Sequence, residues 1–160
     1  MKAKLYLETT IVSYLIARPS RNPILLADQK VTHIWWTKRL VDFEIYVSGV
    51  VLNEASAGDA VYAKQRLNVL APFPVLRATP ESETFANELI ELGILPAKAA
   101  GDAAHIALAA AHNIPFLLTW NCRHLANAEI LRQIEQFFKR KRRNHPTVCT
   151  PRELMGTLGL

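Results

Sequence analysis

Residues 4–15 read KLYLETTIVSYL, and this stretch sets the organisation of the chain. Residues 4–7 are a short apolar run of strand length, which stops at the polar group of residues 8–10. Apolar residues then follow at helical spacing as far as Leu15. We therefore predict a strand that leads directly into a helix.

The same succession of strand and helix signals continues along the chain. Further strands are predicted at residues 43–47, 73–76, 116–119 and 147–149, and further helices at residues 23–40, 49–56, 80–92, 97–112 and 127–138. Gly58-Asp59 is predicted to start another helix, with Val61, Tyr62, Leu67 and Leu70 on one side. Thr150-Pro151-Arg152-Glu153 has the pattern of a capping box and predicts a closing helix. Strands separated by helices favour parallel pairing, so we expect a three-layer α/β/α sandwich with a mostly parallel central sheet.

The composition is typical of one globular domain, which we predict over residues 1–160. Half of the 160 residues are hydrophobic, so the chain can bury a core without disulfides or structural metal. The two cysteines have no CxxC spacing and the first seven residues lack a signal-peptide apolar segment, which predicts a cytoplasmic protein. The most apolar stretch, residues 97–111, is alanine-rich and interrupted by charges, so no membrane association is expected.

Four polar residues fall where such a fold gathers its functional groups. Glu8 and Asn121 follow two predicted strands and therefore lie at the carboxyl edge of the sheet. Glu54 and Asp102 lie in predicted helices, and Asp102 has no base beside it in sequence, so its burial calls for a cation. Oxygen ligands of this kind suit Mg²⁺ or Mn²⁺, which activate water and polarise phosphoryl groups. We predict a catalytic metal site for phosphodiester hydrolysis from the joint placement of these residues, because each acid taken alone is more typical of a solvated or capping residue.

Three further side chains near these four residues each have two possible roles. Thr9 and Thr119 are placed to support the metal site, or to cap the first helix and finish a strand. His105 lies one helical turn after Asp102, where it would assist proton transfer or simply pack in the core.

Four segments resemble the successive motifs of the PIN domain, and together they span the whole chain. They are Leu5-Tyr6-Leu7-Glu8-Thr9-Thr10-Ile11, Val51-Leu52-Asn53-Glu54, Gly101-Asp102-Ala103-Ala104-His105-Ile106-Ala107 and Leu118-Thr119-Trp120-Asn121. Within that family the likeness is to the VapC-type toxins of bacterial toxin–antitoxin pairs. The resemblance implies a Mg²⁺- or Mn²⁺-dependent endoribonuclease that forms a homodimer and is inhibited by a cognate antitoxin.

The resemblance matches Glu8, Glu54 and Asp102 to the acids of the family, and Asn121 to its position after the fourth strand. The family usually has Asp where this chain has Glu8, and often has Asp where it has Asn121. The longer Glu8 side chain moves its carboxylate outward, and Asn121 removes a charge while it keeps an oxygen ligand. The site then holds three formal negative charges rather than four.

Basic residues are candidates for contact with RNA phosphates. The net charge of +5 arises from one run, because without Lys139, Arg140, Lys141, Arg142 and Arg143 the chain has 14 basic and 14 acidic residues. Five cations in succession exceed what a helix dipole favours, so we predict an RNA contact, with a solvated helix end as the alternative. Arg18 and Arg21 flank a Pro-Ser turn and are predicted to bind phosphate, or to lie on an ordinary loop.

Two other functions compete with the ribonuclease hypothesis. A PIN-like module that binds RNA or protein without cleaving RNA is favoured by the departures at Glu8 and Asn121. Another Mg²⁺-dependent phosphohydrolase on a doubly wound fold is disfavoured, because the chain has no phosphate loop of the GxxxxGK type.

Overall fold

The computed structural model describes residues 1–158, so the last two residues of the predicted domain 1–160 lie outside the described part. The strands are β1 (Ala3–Leu7), β2 (Phe43–Ser48), β3 (Val75–Leu76), β4 (Phe116–Leu118) and β5 (Thr147–Cys149). The helices are α1 (Thr9–Ile16), α2 (Pro23–Lys38), α3 (Gly49–Ala55), α4 (Ala60–Leu70), α5 (Pro80–Glu91), α6 (Ala100–Ala111) and α7 (Ala128–Arg140). Short 3₁₀ turns lie at Leu40–Asp42, Ala97–Ala99 and Gly156–Leu158.

The five strands form one parallel sheet in the order β3-β2-β1-β4-β5. In the central strand β1, Leu5 pairs with Ile45 of β2 on one side and with Phe116 of β4 on the other. The chain winds outward from β1 to β3 and then returns to the other side of β1 as β4. This reversal leaves a crevice between the carboxyl ends of β1 and β4, where α/β proteins of this kind bind ligands.

Helices cover both faces of the sheet, which confirms the predicted α/β/α sandwich. Right-handed crossovers place α1 to α4 on one face and α5 to α7 on the other. The first face is filled by Trp35, which is fully buried, and the second by Phe137 and Phe138, which meet Phe85 of α5 edge to face. Within residues 1–158, no helix combines the length and apolar character needed to traverse a bilayer.

Two predicted elements differ in the structure. Strand β3 has only Val75 and Leu76, because Pro74 lacks an N–H group and contributes only its carbonyl, which accepts a hydrogen bond from Val47 N at 3.0 Å. The predicted closing helix is wrong. The Thr150 N–H does donate to Glu153 Oε1 at 3.0 Å, as in a capping box, but the chain makes one turn and then passes through Gly156 at φ +70° into a 3₁₀ turn.

Candidate metal centre

The residues that follow β1 and β4 meet at the point where the winding reverses. The Glu8 N–H donates to Leu118 O at 3.1 Å, so the first residue after β1 lies beside the end of β4. Thr119 N in turn donates to Cys149 O at 3.0 Å, which extends the pairing with β5 one residue past the end of β4. Parallel pairing therefore brings the side chains of residues 8 and 119 to one side of the crevice.

Glu8 is buried, with 3% of its surface exposed, and three donors hold one of its oxygens. Oε2 accepts hydrogen bonds from Thr10 N at 3.0 Å, from the Thr10 hydroxyl and from the Thr119 hydroxyl at 2.7 Å. Glu8 itself is thus the cap of α1, where the sequence predicted a threonine cap. Its other oxygen, Oε1, faces His105 with Nε2 at 3.9 Å. The longer glutamate side chain is folded back rather than extended outward.

His105 connects Glu54 to the interior of the sheet. Its Nε2 donates to Glu54 Oε1 at 2.8 Å, and its Nδ1 is joined to the Tyr6 hydroxyl by a hydrogen bond of 2.7 Å. The Tyr6 hydroxyl is also 2.7 Å from Ser48 Oγ, which caps α3. A chain of hydrogen bonds therefore runs from Ser48 at the end of β2, through β1 and α6, to the Glu54 carboxylate. His105 is fully buried, whereas Glu54 is partly open to solvent.

Three side chains together present the donor set of a metal site. Glu8, Glu54 and His105 each offer one ligand atom, and these atoms lie within 4.8 Å of one another. The buried Thr9 hydroxyl lies near Glu54, and within residues 1–158 it makes no hydrogen bond of normal geometry. Gly101 leaves room for Glu54, because a Cβ at that position would lie 3.2 Å from Oε1. Two carboxylates, an imidazole and an unpartnered hydroxyl fit a divalent cation.

The charges of the cluster stabilise one another. Burial by itself raises the pKa of Glu54, but the hydrogen bond and positive charge of His105 outweigh it and lower the pKa below its ordinary value. Burial by itself lowers the pKa of His105, but the hydrogen bond to Glu54 and the charges of Glu8, Glu54 and Asp102 raise it above its ordinary value. His105 and Glu54 therefore stabilise each other's charged forms.

Asp102 is held by the loop that follows β4. Its Oδ1 accepts from Asn121 Nδ2 at 3.0 Å, and its Oδ2 is 3.1 Å from His124 Nδ1. Asn121 Oδ1 accepts from the N–H groups of Arg123 at 3.2 Å and His124 at 3.0 Å. Asp102 has no base beside it in sequence, but the fold brings His124 to it from 22 residues away. Asn121 directs both ends of its amide to this arrangement, so its geometry is that of a residue that positions Asp102.

The basic run lies at the opposite edge of the sheet. Arg143 borders a cleft of about 550 Å³ together with Pro115 and Thr147, which mark the amino ends of β4 and β5. Lys141 and Arg143 form ion pairs of 2.5 and 2.9 Å with glutamates of α5. Two of the five cations therefore connect α7 to α5, and the run is separated from Glu8 by the length of the strands.

Arg18 and Arg21 are exposed on the loop between α1 and α2. The buried Gln29 fixes this loop, because its Oε1 accepts from Ser20 N at 2.8 Å and its Nε2 donates to Arg18 O at 3.1 Å. Arg18 also lines a cleft of about 420 Å³ with Arg66 of α4. The loop is ordered by side-chain hydrogen bonds rather than by regular structure.

Comparison with known proteins gives matches at the level of structure. No protein-family model matches the chain, and no curated protein sequence matches it. The structure of VapBC2 from Rickettsia felis bound to a DNA fragment from their promoter is similar at 16% sequence identity and a TM-score of 0.50, over 91% of this chain and 97% of that one. VapBC-1 from nontypeable Haemophilus influenzae is similar at 14% identity and a TM-score of 0.56, over 92% of this chain and 97% of that one.

These likenesses define the class of fold. The all-parallel sheet and its covering helices are consistent with a PIN-like three-layer sandwich. More narrowly, the fold is that of a VapC-type PIN domain, as the resemblance of the four sequence motifs predicted.

Proposed function

We propose that the chain is a metal-dependent endoribonuclease that hydrolyses RNA phosphodiester bonds and acts in the cytoplasm as the toxin of a toxin–antitoxin pair. The observation that carries this proposal is the convergence of Glu8 and Glu54 at His105, at the switch point of a VapC-type fold. Buried carboxylates that lack enough internal cations are costly, so their placement at the mouth of a crevice favours binding of a metal ion.

The residues of the cluster would divide the work between holding an ion and orienting its ligands. Glu8 and Glu54 are the proposed ligands, with Asp102 as a third acid at the rim. Thr119 holds the Glu8 carboxylate through Oε2, and Asn121 holds Asp102 through its amide. Mg²⁺ or Mn²⁺ is the proposed ion, and when bound it would polarise the scissile phosphate and lower the pKa of an attacking water.

We propose RNA as the substrate and a protein antitoxin as the partner. The structural neighbours are VapBC assemblies, which supports a partner protein for this chain as well. Arg18 and Arg21 are proposed to bind RNA phosphates from their fixed loop, because guanidinium groups bind phosphate in a bidentate manner. The exposed members of the run from Lys139 to Arg143 are proposed to contact RNA at the far edge of the sheet. A homodimer is part of the same proposal.

Cleavage of RNA by purified protein tests this function. Wild type is incubated with single-stranded and structured RNA in Mn²⁺ or in EDTA, beside Asp102→Asn and the control Glu91→Gln, which changes an exposed acid at the end of α5. We expect cleavage in Mn²⁺ by wild type and Glu91→Gln, and its loss in EDTA and in Asp102→Asn. Equal traces of degradation in all samples would identify a contaminating nuclease and overturn the proposal.

One observation favours a second function, which is binding of RNA or protein without cleavage. Asn121 stands where an acid is common in the family, and Asp102 already has Asn121 and His124 as partners. A module of this kind would retain RNA affinity in EDTA and would show no cleavage in Mn²⁺, so the same experiment separates the two functions.

A further inference from the structure

We propose that His105 is a direct nitrogen ligand of the bound cation, and that the site therefore selects Mn²⁺ over Mg²⁺. This inference rests on the proposed function in one respect only, namely that the acidic cluster holds a divalent ion. It concerns a residue that lies outside the four acidic and amide positions of the family motifs.

The first observation behind this inference is the position of His105 Nε2. It lies 2.8 Å from Glu54 Oε1 and 3.9 Å from Glu8 Oε1, so it stands with both carboxylates around one small space. The ring is fully buried, so this nitrogen is not in contact with bulk water. An ion that takes Glu8 and Glu54 as ligands therefore meets Nε2 as well.

The second observation is that hydrogen bonds fix the orientation of the His105 ring. Histidines that bind metals are fixed through their other ring nitrogen, which sets the tautomer and the orientation of the ring. Here Nδ1 is joined to the Tyr6 hydroxyl at 2.7 Å, and Tyr6 is joined to Ser48 Oγ at 2.7 Å. Ser48 is itself anchored, because its Oγ accepts from Val51 N at the start of α3. Nδ1 is thus occupied by the protein, and Nε2 is the nitrogen left to face the acids.

The Thr9 hydroxyl is an independent sign that a ligand belongs here. It is buried beside Glu54, with 7% of the residue exposed, and has no hydrogen-bond partner within the described residues. An orphan hydroxyl of this kind is unfavourable unless an ion or its water completes the site.

The chemistry of the donors decides the ion. Mg²⁺ prefers oxygen ligands and keeps several waters, whereas imidazole suits transition-metal ions. Of the two proposed ions, Mn²⁺ is the transition-metal ion and tolerates a nitrogen donor better than Mg²⁺, so two glutamates and one histidine favour Mn²⁺ over Mg²⁺.

Pulsed electron paramagnetic resonance of Mn²⁺ tests the ligand directly. Wild-type protein loaded with one equivalent of Mn²⁺ is expected to show coupling of the electron spin to ¹⁴N, and His105→Gln is expected to lose it. His112→Gln is the matched control, because His112 lies at the end of the same helix and contacts Arg77 O instead. Circular dichroism checks that each variant is folded, and the wild-type spectrum needs no variant. Bound Mn²⁺ without ¹⁴N coupling in wild type would overturn the inference.

Calorimetry tests the selectivity. We expect wild type to bind Mn²⁺ at least about tenfold more tightly than Mg²⁺, and His105→Gln to lose most of this preference. Tyr6→Phe, which removes the hydroxyl behind Nδ1, is expected to weaken Mn²⁺ binding by about 10- to 100-fold. Equal affinity of wild type for the two ions would contradict the inference. RNA cleavage is measured separately. Cleavage without ¹⁴N coupling would support the proposed function and overturn the inference about His105. Coupling without cleavage would support His105 as a metal ligand and overturn the proposed function.

Discussion

Charged side chains are buried at one edge of the sheet and exposed at the other. At the carboxyl edge, Glu8 and His105 are buried and nearly every polar atom has an assigned partner within a connected network. At the amino edge, the basic run is largely exposed, and its inner members form ion pairs across two helices. The overall charge of +5 therefore reflects the amino edge and not the acidic cluster at the carboxyl edge. Burial and hydrogen bonding, rather than net charge, distinguish a chemical site from a charged surface.

The largest effect is expected at Glu8, and a dispensable Glu8 would contradict the contrast drawn between the two edges of the sheet. Glu8→Gln keeps an oxygen that can cap α1 but removes the buried charge, so we expect the affinity for Mn²⁺ to fall by more than about 100-fold, beyond the loss typical of residues behind the ligands. Isothermal titration calorimetry measures it, with Glu91→Gln as the control at an exposed acid. Wild-type affinity in Glu8→Gln would remove this residue from the site.

The next effect is expected one step behind the ligand, at Thr119. Its hydroxyl donates to Glu8 Oε2 at 2.7 Å and accepts from Asn121 N at 2.9 Å. Thr119→Val keeps the shape but removes one of the three donors to Glu8 Oε2 and leaves Asn121 N without its partner. Mn²⁺ affinity should therefore fall by about 10- to 100-fold and the free energy of unfolding by about 1 to 3 kcal/mol. Calorimetry and urea unfolding measure the two, and Thr37→Val on the exposed face of α2 is the control. A loss of stability with unchanged metal affinity would make Thr119 purely structural.

A smaller effect is expected at Gly101, where space rather than charge is at issue. The Cβ of Gly101→Ala would lie 3.2 Å from Glu54 Oε1 and displace that carboxylate slightly. We expect Mn²⁺ affinity to fall by less than about tenfold. Because alanine favours a helix over glycine, the free energy of unfolding should hold or rise by up to about 1 kcal/mol. Gly49→Ala, which meets nothing within 4 Å, is the control. A less stable protein with normal metal affinity would show that the helix, not Glu54, yields to the new methyl group.

The least effect on the metal is expected at the basic edge. A triple variant, Lys139→Gln, Arg140→Gln and Arg142→Gln, should bind Mn²⁺ with wild-type affinity because it leaves every group of the cluster in place. Its affinity for single-stranded RNA should fall, and the slope of log affinity against log salt should decrease by about 0.7 for each phosphate contact removed. Altered Mn²⁺ binding would mean that the two edges are coupled, while an unchanged salt slope would exclude RNA from the amino edge.

The sequence predicted what depends on local pattern and chain order. An apolar run that stops at Glu8 places an acid at a strand end, and the alternation of strands and helices implies the parallel sheet. The closing helix failed because a capping pattern at Thr150 does not ensure that the following residues continue a helix.

Contacts between residues distant in sequence could not be read in this way. The pairing of His124 with Asp102 depends on the loop after β4, and the link from His105 to Tyr6 spans 99 positions. The only available signal for His105 was its spacing from Asp102 on one helix face, which is equally typical of a core residue. The placement of the basic run at the amino edge follows from the direction of α7 against β4, which the charge pattern does not contain.

The most direct test of a metal centre at the carboxyl edge is anomalous diffraction from crystals soaked in Mn²⁺. The structure predicts a peak in the space bounded by Glu8, Glu54 and His105, and no peak there in Glu8→Gln crystals. Well-diffracting wild-type crystals with Mn²⁺ bound only elsewhere, for example at the glutamates of α5, would contradict it.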